Sequence, residues 1–410
     1  MATASLAPPR YGTQPDIAYA PDFEKYQART KRRLATEKID SSLPPGFPKK
    51  LVSDLVWEGG NIEETYQWVY ELNESQVGEI ETALANFKSL NKPLGYVDEN
   101  TFPLPNLHPE LRKLSRELHL GHGFVVLRGL PVDKFNREEN VIIYAGVSSH
   151  IAPRRGRQDS RFEGVPADVV LAHIKDLSNT PDKANIGAPA YTTDKQVFHT
   201  DSGDVVSLFA LGTAAQGGQS KLASSWRVYN ELAATRPDLI RTLAEDWVVD
   251  RYDGTSSSNP LLYYQPSTAT SPERVVIQYA RRHFTGFQAL SRSPSIPPIT
   301  EAQAEALDAM HFLAEKFSVG LDFRKGDVQY INNMSIFHAR DGFTDTPEQQ
   351  RHLIRLWLRD PEYAWETPEP LQARWAELYD GVQPENQVFP LEPRIRSASK
   401  GSGSGASAVS

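Results

Sequence analysis

His199 and Asp201 stand two residues apart in Val197-Phe198-His199-Thr200-Asp201-Ser202-Gly203-Asp204, directly ahead of an apolar run from Val205 to Leu211. In extended chain, residues i and i+2 share a face, so this imidazole and carboxylate can reach one metal ion together while Thr200 points away. Two ligands do not make a site, and a third must come from elsewhere. The chain has no cysteine, which excludes disulfides, thiolate zinc sites, iron–sulfur clusters and a cysteine nucleophile. Any metal must therefore sit on His, Asp or Glu. Among the ten histidines, His108-Pro109-Glu110 repeats the His-x-acid pattern, but Pro109 opens a helix, in which residues two apart diverge. His119 and His122 flank Gly121 in a loop. His150, His173 and His283 have no acidic residue two positions on.

A second chemically suggestive stretch is Arg351-His352-Leu353-Ile354-Arg355-Leu356-Trp357-Leu358-Arg359. As a strand it puts Arg351, Leu353, Arg355, Trp357 and Arg359 on one face and His352, Ile354, Leu356 and Leu358 on the other. Both faces are partly apolar, so an inward guanidinium must find an anion, and a carboxylate ligand would serve. The competing reading is a salt-bridge network with acids such as Asp360 or Glu348. His338, at the end of Ile336-Phe337-His338, reads on its own as a core histidine beside Phe337.

The elements that must position these residues follow from apolar rhythm. Val77, Ile80, Leu84, Phe87 and Leu90 fall at helical spacing with Ser75 as the expected N-cap. Pro109 starts a helix carrying Leu111, Leu114 and Leu118, and Gly123 to Gly129 brackets a buried strand. Val169 to Ile174 reads as a strand within an irregular region, 152–196, that is either a binding loop or a plain surface excursion. Val205 to Leu211 followed by Gly217 to Ala223 reads as strand, turn, strand. Trp226 to Leu243 is helical around Pro237, Val275 to Tyr279 is a strand, and Thr300-Glu301-Ala302-Gln303 is a capping box before a helix with Leu307, Met310, Ala314 and Phe317, in which His311 packs or lies at the helix edge.

At 410 residues with a net charge of -8, the chain has the composition of a globular protein, and its acidity argues against a general nucleic-acid binder. No apolar run reaches the roughly 18 residues of a membrane span, and no signal-peptide core is seen, so the expected location is cytoplasmic. The cluster Arg29, Lys31, Arg32, Arg33 reads as a solvated helix face in preference to a nuclear address. Residues 1–38 are expected to be a polar, partly disordered N-terminal segment, 39–393 a single domain with a helical insertion around 226–319, and 394–410 a flexible Gly/Ser tail.

Taken together, His199-x-Asp201, His338 and Arg351 resemble the 2-His-1-carboxylate facial triad of Fe(II)/2-oxoglutarate oxygenases, and more narrowly the taurine dioxygenase family with its clavaminate synthase-like members. The resemblance spans roughly Gly121 to Arg359. It rests on Phe198-His199-Thr200-Asp201, Gly217-Gly218-Gln219-Ser220, Asn332-Asn333 with His338, and Arg351-His352-Leu353-Ile354-Arg355-Leu356-Trp357. It implies a mixed α and β fold with a double-stranded β-helix (jelly-roll) core and flanking helices. It further implies that His199, Asp201 and His338 bind Fe(II), leaving three positions of an octahedral ion for 2-oxoglutarate and O2. Arg351 would pair with the distal carboxylate of 2-oxoglutarate, and Ser220, where the family commonly has threonine, would hydrogen-bond the same group. Arg355 matches a position that holds either a substrate anion or the cosubstrate.

The expected activity is oxidative decarboxylation of 2-oxoglutarate to succinate and CO2, coupled to C–H oxidation of a small anionic metabolite such as an amino acid or natural-product intermediate. Hydroxylation, desaturation and ring closure all remain open. The alternatives are a zinc hydrolase using the same triad and a non-catalytic jelly-roll metabolite-binding protein. Neither nucleic-acid nor membrane partners are expected, and the oligomeric state is open, a homodimer being one option.

Overall fold

The structure, a computed structural model, describes residues 13–252, 255–269 and 271–400. Its centre is a seven-stranded sheet in the order Val69–Glu71, Phe124–Arg128, Val328–Asn332, Val205–Gly212, His352–Arg359, the last flanked on its far side by both Arg154–Arg155 and Leu171–Lys175. A four-stranded sheet follows the order Val319–Leu321, Ser220–Ser224, Ile336–Arg340, Gln196–His199. Pairing is antiparallel throughout these two sheets except for the parallel contact of Val69–Glu71 with Phe124–Arg128. The result is mixed α and β with many short strands.

Period-2 alternation assigns the faces of the larger sheet. Val125, Leu127, Val328, Tyr330, Val205, Phe209, Ile354, Leu356 and Leu358 pack against apolar residues of the helices Glu74–Ser89, His108–Leu120 and Arg137–Ser149. Phe124, Val126, Val206, Ile331 and Trp357 belong to a second core, shared with Leu222, Ala223, Phe198, Phe337 and Ala339 of the smaller sheet. Burying both faces explains why neither sequence face of 351–359 is plainly polar.

Several expected elements form as read. The helix Glu301–Phe317 has a complete Thr300/Gln303 capping box, and buried His311 sits within it. Helices Ser225–Thr235 and Pro237–Ala244 meet at Pro237. Others differ. Helix Glu74–Ser89 is capped by Asn73 with Gln76, not by Ser75, because Asn73 Oδ1 accepts from the Gln76 N–H while Gln76 Oε1 accepts from the Asn73 N–H. The stretch between 226 and 319 holds two β-hairpins, Trp247–Asp250 with Ser256–Asn259 and Leu262–Gln265 with Arg274–Ile277, besides its helices.

The basic cluster is only partly solvated. Helix Phe23–Thr36 packs against Glu301–Phe317, with Arg29 bonded to Asp308 at 2.5 Å and to Glu301 at 2.9 Å, and Arg33 bonded to Glu305. Near the other end, Arg394 to Lys400 take fixed places where Gly/Ser composition suggests a loose tail: Ser397 N–H donates to Asp159 at 2.7 Å and Gly187 N–H donates to the Ser399 carbonyl at 2.9 Å. Residues 401–410, like Pro8 and Pro9 of the N-terminal segment, lie outside the described residues.

Candidate metal centre between the two sheets

His199 ends its strand and stands directly opposite His338 in the antiparallel register of the smaller sheet. Their rings lie 4.1 Å apart between centroids, and His199 Nε2 is 3.7 Å from Asp201 Oδ1. One ligand atom from each of His199, Asp201 and His338 falls within 4.8 Å of the other two. The His199 tautomer is fixed by its surroundings, because Nδ1 lies 2.9 Å from the Val197 carbonyl, which can only accept. Nδ1 therefore carries the proton, and Nε2 presents a lone pair toward Asp201. Burial lowers the pKa of both rings, most strongly for His338, so both are neutral imidazoles suited to a metal.

Asp201 sits on the turn after the strand, and Asn333 holds that turn. Its side chain accepts from the Asp201 N–H at 2.8 Å and donates to the carbonyls of Asp201 and Gly203 at 2.7 and 2.8 Å. Thr200 turns away, its hydroxyl accepting from the Tyr279 N–H at 2.8 Å. Asp201 Oδ2 accepts from Arg355 Nη1 at 2.5 Å and from the Trp357 indole at 3.1 Å, which leaves Oδ1 on the histidine side. Burial opposes ionisation of this carboxyl, but the Arg355 guanidinium outweighs it and holds its pKa well below the usual carboxylate range.

The cavity beside these residues is lined from both sheets, by His199, Ser220, His338 and Arg340 on one side and Leu208, Leu353, Arg351 and Arg355 on the other. Arg351 is buried, and its Nη1 has no hydrogen-bond partner. Burial, then the neighbouring Arg340, pulls its pKa down to about 9. Ser220 donates to Gln329 Oε1 at 2.8 Å. The Gly217-Gly218 turn makes room for Arg351: both glycines have positive φ, and a Cβ on Gly218 would lie 3.2 Å from the Arg351 Cδ. The donor set fits a divalent ion with two imidazoles and a carboxylate, and the unpaired guanidinium beside a hydroxyl fits the far carboxylate of a 2-oxo diacid.

All six residues singled out in the sequence, His199, Asp201, Ser220, His338, Arg351 and Arg355, line this one cavity. His108, by contrast, starts a helix and bonds His150 through Nδ1 at 2.9 Å. Sequence reasoning missed Gln196, whose amide reaches His199 Nε2 at 3.0 Å, and Gln158, which accepts from Arg355 Nε at 2.8 Å. It also missed the contact of the Trp357 indole with Asp201 Oδ2. The alternation of Trp357 with Arg355 on the inward face was the available signal.

The family described as Taurine catabolism dioxygenase TauD, TfdA family matches residues 88–357. A taurine hydroxylase-like protein, SAT17, from Stachybotrys chartarum is 36% identical over 354 residues, covering 84% of this chain and 89% of that protein. FR-33289 synthase from Streptomyces rubellomurinus is 22% identical and covers 76% of this chain and 90% of its own. Among solved structures, asparagine oxygenase in complex with Fe(II), 3-hydroxyasparagine and succinate shares the fold with a TM-score of 0.52 at 16% identity, over 72% of this chain and 94% of that one.

Proposed function

Because this chain belongs to the TauD/TfdA dioxygenase family and is a non-heme Fe(II)/2-oxoglutarate-dependent dioxygenase, we propose that His199, Asp201 and His338 hold its iron. Arg351 and Ser220 take the distal carboxylate of 2-oxoglutarate, and the substrate is a small anionic metabolite, an amino acid or a natural-product intermediate, oxidised at a C–H bond. Family membership decides for the oxygenase over the zinc hydrolase and the non-catalytic binding protein. The amino-acid product bound to asparagine oxygenase supports the substrate class. The observation that carries the site assignment is the convergence in one cavity of three ligand atoms within 4.8 Å and a buried guanidinium with an unpaired Nη1. We read the two sheets as the halves of a jelly-roll barrel within one domain, 39–393, interrupted by the insertion at 226–319.

Bound Fe(II), with 2-oxoglutarate and O2, supplies the oxidation of the substrate C–H bond while the oxo acid leaves as succinate and CO2. The protein's residues do the rest. Val197 and Asn333 orient His199 and Asp201 through their backbone and side-chain bonds. Arg355 and Trp357 occupy Asp201 Oδ2, which restricts the carboxylate to one oxygen toward the metal. Arg351 fixes the cosubstrate by bidentate pairing, with Ser220 turning its hydroxyl from Gln329 to the incoming carboxylate. Ile174, Val206, Leu208 and Leu353 keep the cavity wall dry.

The test is anaerobic addition of Fe(II) and 2-oxoglutarate, looking for a visible charge-transfer band, followed by admission of O2 and measurement of succinate with candidate amino acids and other small acids. A band and substrate-stimulated succinate are expected in the wild type, and neither in His199→Ala. A His199→Ala protein that retains both would remove His199 from the metal.

A further inference from the structure

Asp201 is the carboxylate paired with Arg355, and among the described residues no carboxylate pairs with Arg351, Arg340 or Arg396. Arg351 has its assigned diacid. Arg396 has no such explanation, and it lies outside both the matched span, 88–357, and the strands that build the site.

The segment around it is held in place on either side. Gln387 and Val388 pair with Asp168 and Val169, and the Pro390 carbonyl accepts from His173 Nε2 at 2.7 Å. Ile395 is buried among Ile174, Ile186, Tyr191 and Leu353. Arg396 N–H donates to the Tyr191 hydroxyl at 3.1 Å, and Ser397 bonds Asp159 through N–H and hydroxyl at 2.7 and 3.1 Å. With its neighbours pinned, the Arg396 guanidinium lies near enough to Arg355 and Asp201 to act on the charge of each. It lies over the Trp357 ring at 5.3 Å, and that of Arg355 lies over the same ring at 4.8 Å. Both reach Gln158: Arg355 Nε donates to its side chain at 2.8 Å, and Arg396 Nη1 makes a long contact of 3.4 Å to its carbonyl.

Two N–H groups in this arrangement are buried without a partner, Arg396 Nε and Arg355 Nη2. Leaving one buried donor unsatisfied costs free energy, and leaving two on adjacent like charges adds repulsion. A surface ion pair would relieve neither, because the atoms are buried. Asp201, the carboxylate bonded to Arg355, offers Oδ2 to Arg355 and Trp357 and faces His199 with Oδ1. A metal ion with its own positive charge does not neutralise two guanidiniums. What would do so is a group with two negative charges and several acceptor oxygens, arriving with the substrate.

We propose that Arg396, brought over the site by the C-terminal segment, forms with Arg355 an anion subsite for a dianionic oxyanion of the substrate, phosphonate or phosphate in type. Arg396 is then a specificity-determining residue that this chain adds to the family's matched core. The proposal rests on reading His199, Asp201 and His338 as the metal ligands, which commits Asp201 to the metal with Arg355 Nη1 on its far oxygen and leaves Arg355 Nη2 and the Arg396 guanidinium to the substrate.

The test uses the full chain, metal-free, in calorimetric titrations with inorganic phosphate, acetate and 2-oxoglutarate at constant ionic strength. Phosphate binding tighter than acetate binding is expected. R396Q should weaken phosphate at least tenfold and leave 2-oxoglutarate within about twofold, R396K should fall between R396Q and wild type, and R351A should reverse the pattern. R396K keeps the charge and the stem, so it reports on the subsite even where R396Q fails to fold. Unchanged phosphate affinity in both Arg396 variants, equal losses for phosphate and 2-oxoglutarate, or acetate binding as tightly as phosphate would each overturn the subsite. Because no iron enters these titrations, failure here is distinct from the absence of a charge-transfer band, which would instead overturn the metal assignment.

Discussion

Arg351 is a buried charge and Asp201 a partly buried one, yet Asp201 is surrounded by partners and Arg351 is not, and that contrast sets what substitution should do. Arg351→Ala removes a charge-assisted bond of roughly 1.5–3 kcal/mol, so the KM for 2-oxoglutarate should rise about 10- to 150-fold with a smaller change in kcat. Succinate formed across a 2-oxoglutarate titration measures both, and an unchanged KM would take Arg351 out of cosubstrate binding. Trp357→Phe keeps the ring but deletes the N–H that reaches Asp201 Oδ2. Metal affinity should drop about 10- to 100-fold, as is usual when a ligand's supporting bond is lost. Visible absorbance during Co(II) titration of the metal-free protein reads this directly; wild-type affinity would mean the indole only packs. The residues gathered in the cavity were legible to the extent that their chemistry is local. His199-x-Asp201 and Arg351-x-x-x-Arg355 declare a shared face by spacing alone. Gln158 was not legible, because it lies 197 positions from the arginine it meets and nothing beside it marks the contact. Arg396 was hidden for a different reason, as it adjoins a stretch whose composition is that of a linker while Ile395, its neighbour, is fully packed.

At the level of elements, the basic cluster of the N-terminal helix divides by helical phase. Arg29 and Arg33, one turn apart, are buried against helix Glu301–Phe317, whereas Arg32 is half exposed with a single bond to Glu301. Composition alone could not separate them, since Glu301, Asp308 and Glu305, which bury Arg29 and Arg33, lie more than 260 positions away, although Glu37, one turn on, also bonds Arg33. Glu305 is fully buried and pairs with both Arg33 and Arg236. Glu305→Ala removes a fully buried acceptor from both, leaving Arg33 to Glu37 and Arg236 to Asp238, and should cost about 1.5–3 kcal/mol in urea unfolding, while Arg32→Ala should cost less than about 1 kcal/mol. Equal losses would mean that the network is no more than a surface decoration. The same limit on local reading explains the hairpins at 247–277. Ser256–Asn259 carries no apolar alternation and pairs only because Trp247–Asp250 runs beside it, whereas Thr300 announced its helix through a cap whose partners are three residues apart.

Across the whole molecule, neutral histidines tie distant segments together, and this makes the fold sensitive to acid. The Pro390 carbonyl can only accept, so His173 carries its proton on Nε2, and its Nδ1 accepts from His352 Nε2–H at 2.8 Å. Protonating His173 at Nδ1 would set a donor against the His352 Nε2–H, and protonating His352 at its other nitrogen is opposed by burial. Burial pushes the pKa of His352 down to about 3 and that of His283 to about 4, and lowers those of His173, His119 and His150. Above about pH 7 these rings are neutral folded or unfolded and contribute no pH dependence. Below about 6.5 the unfolded chain takes up protons that the folded state refuses, so each ring removes roughly 1.4 kcal/mol of stability per pH unit until its folded pKa is reached. Asp204 acts in the opposite sense, because burial raises its pKa to about 6 and acidification then favours the fold, but it is one group against several. Urea unfolding at a series of pH values should show stability falling continuously from pH 7 to pH 5. His352→Gln should flatten that slope by close to one proton's worth, whatever it does to stability at pH 7. A wild-type curve level across this window, or a His352→Gln slope equal to the wild type's, would mean that the buried pair accepts a proton without breaking its contact to the C-terminal segment.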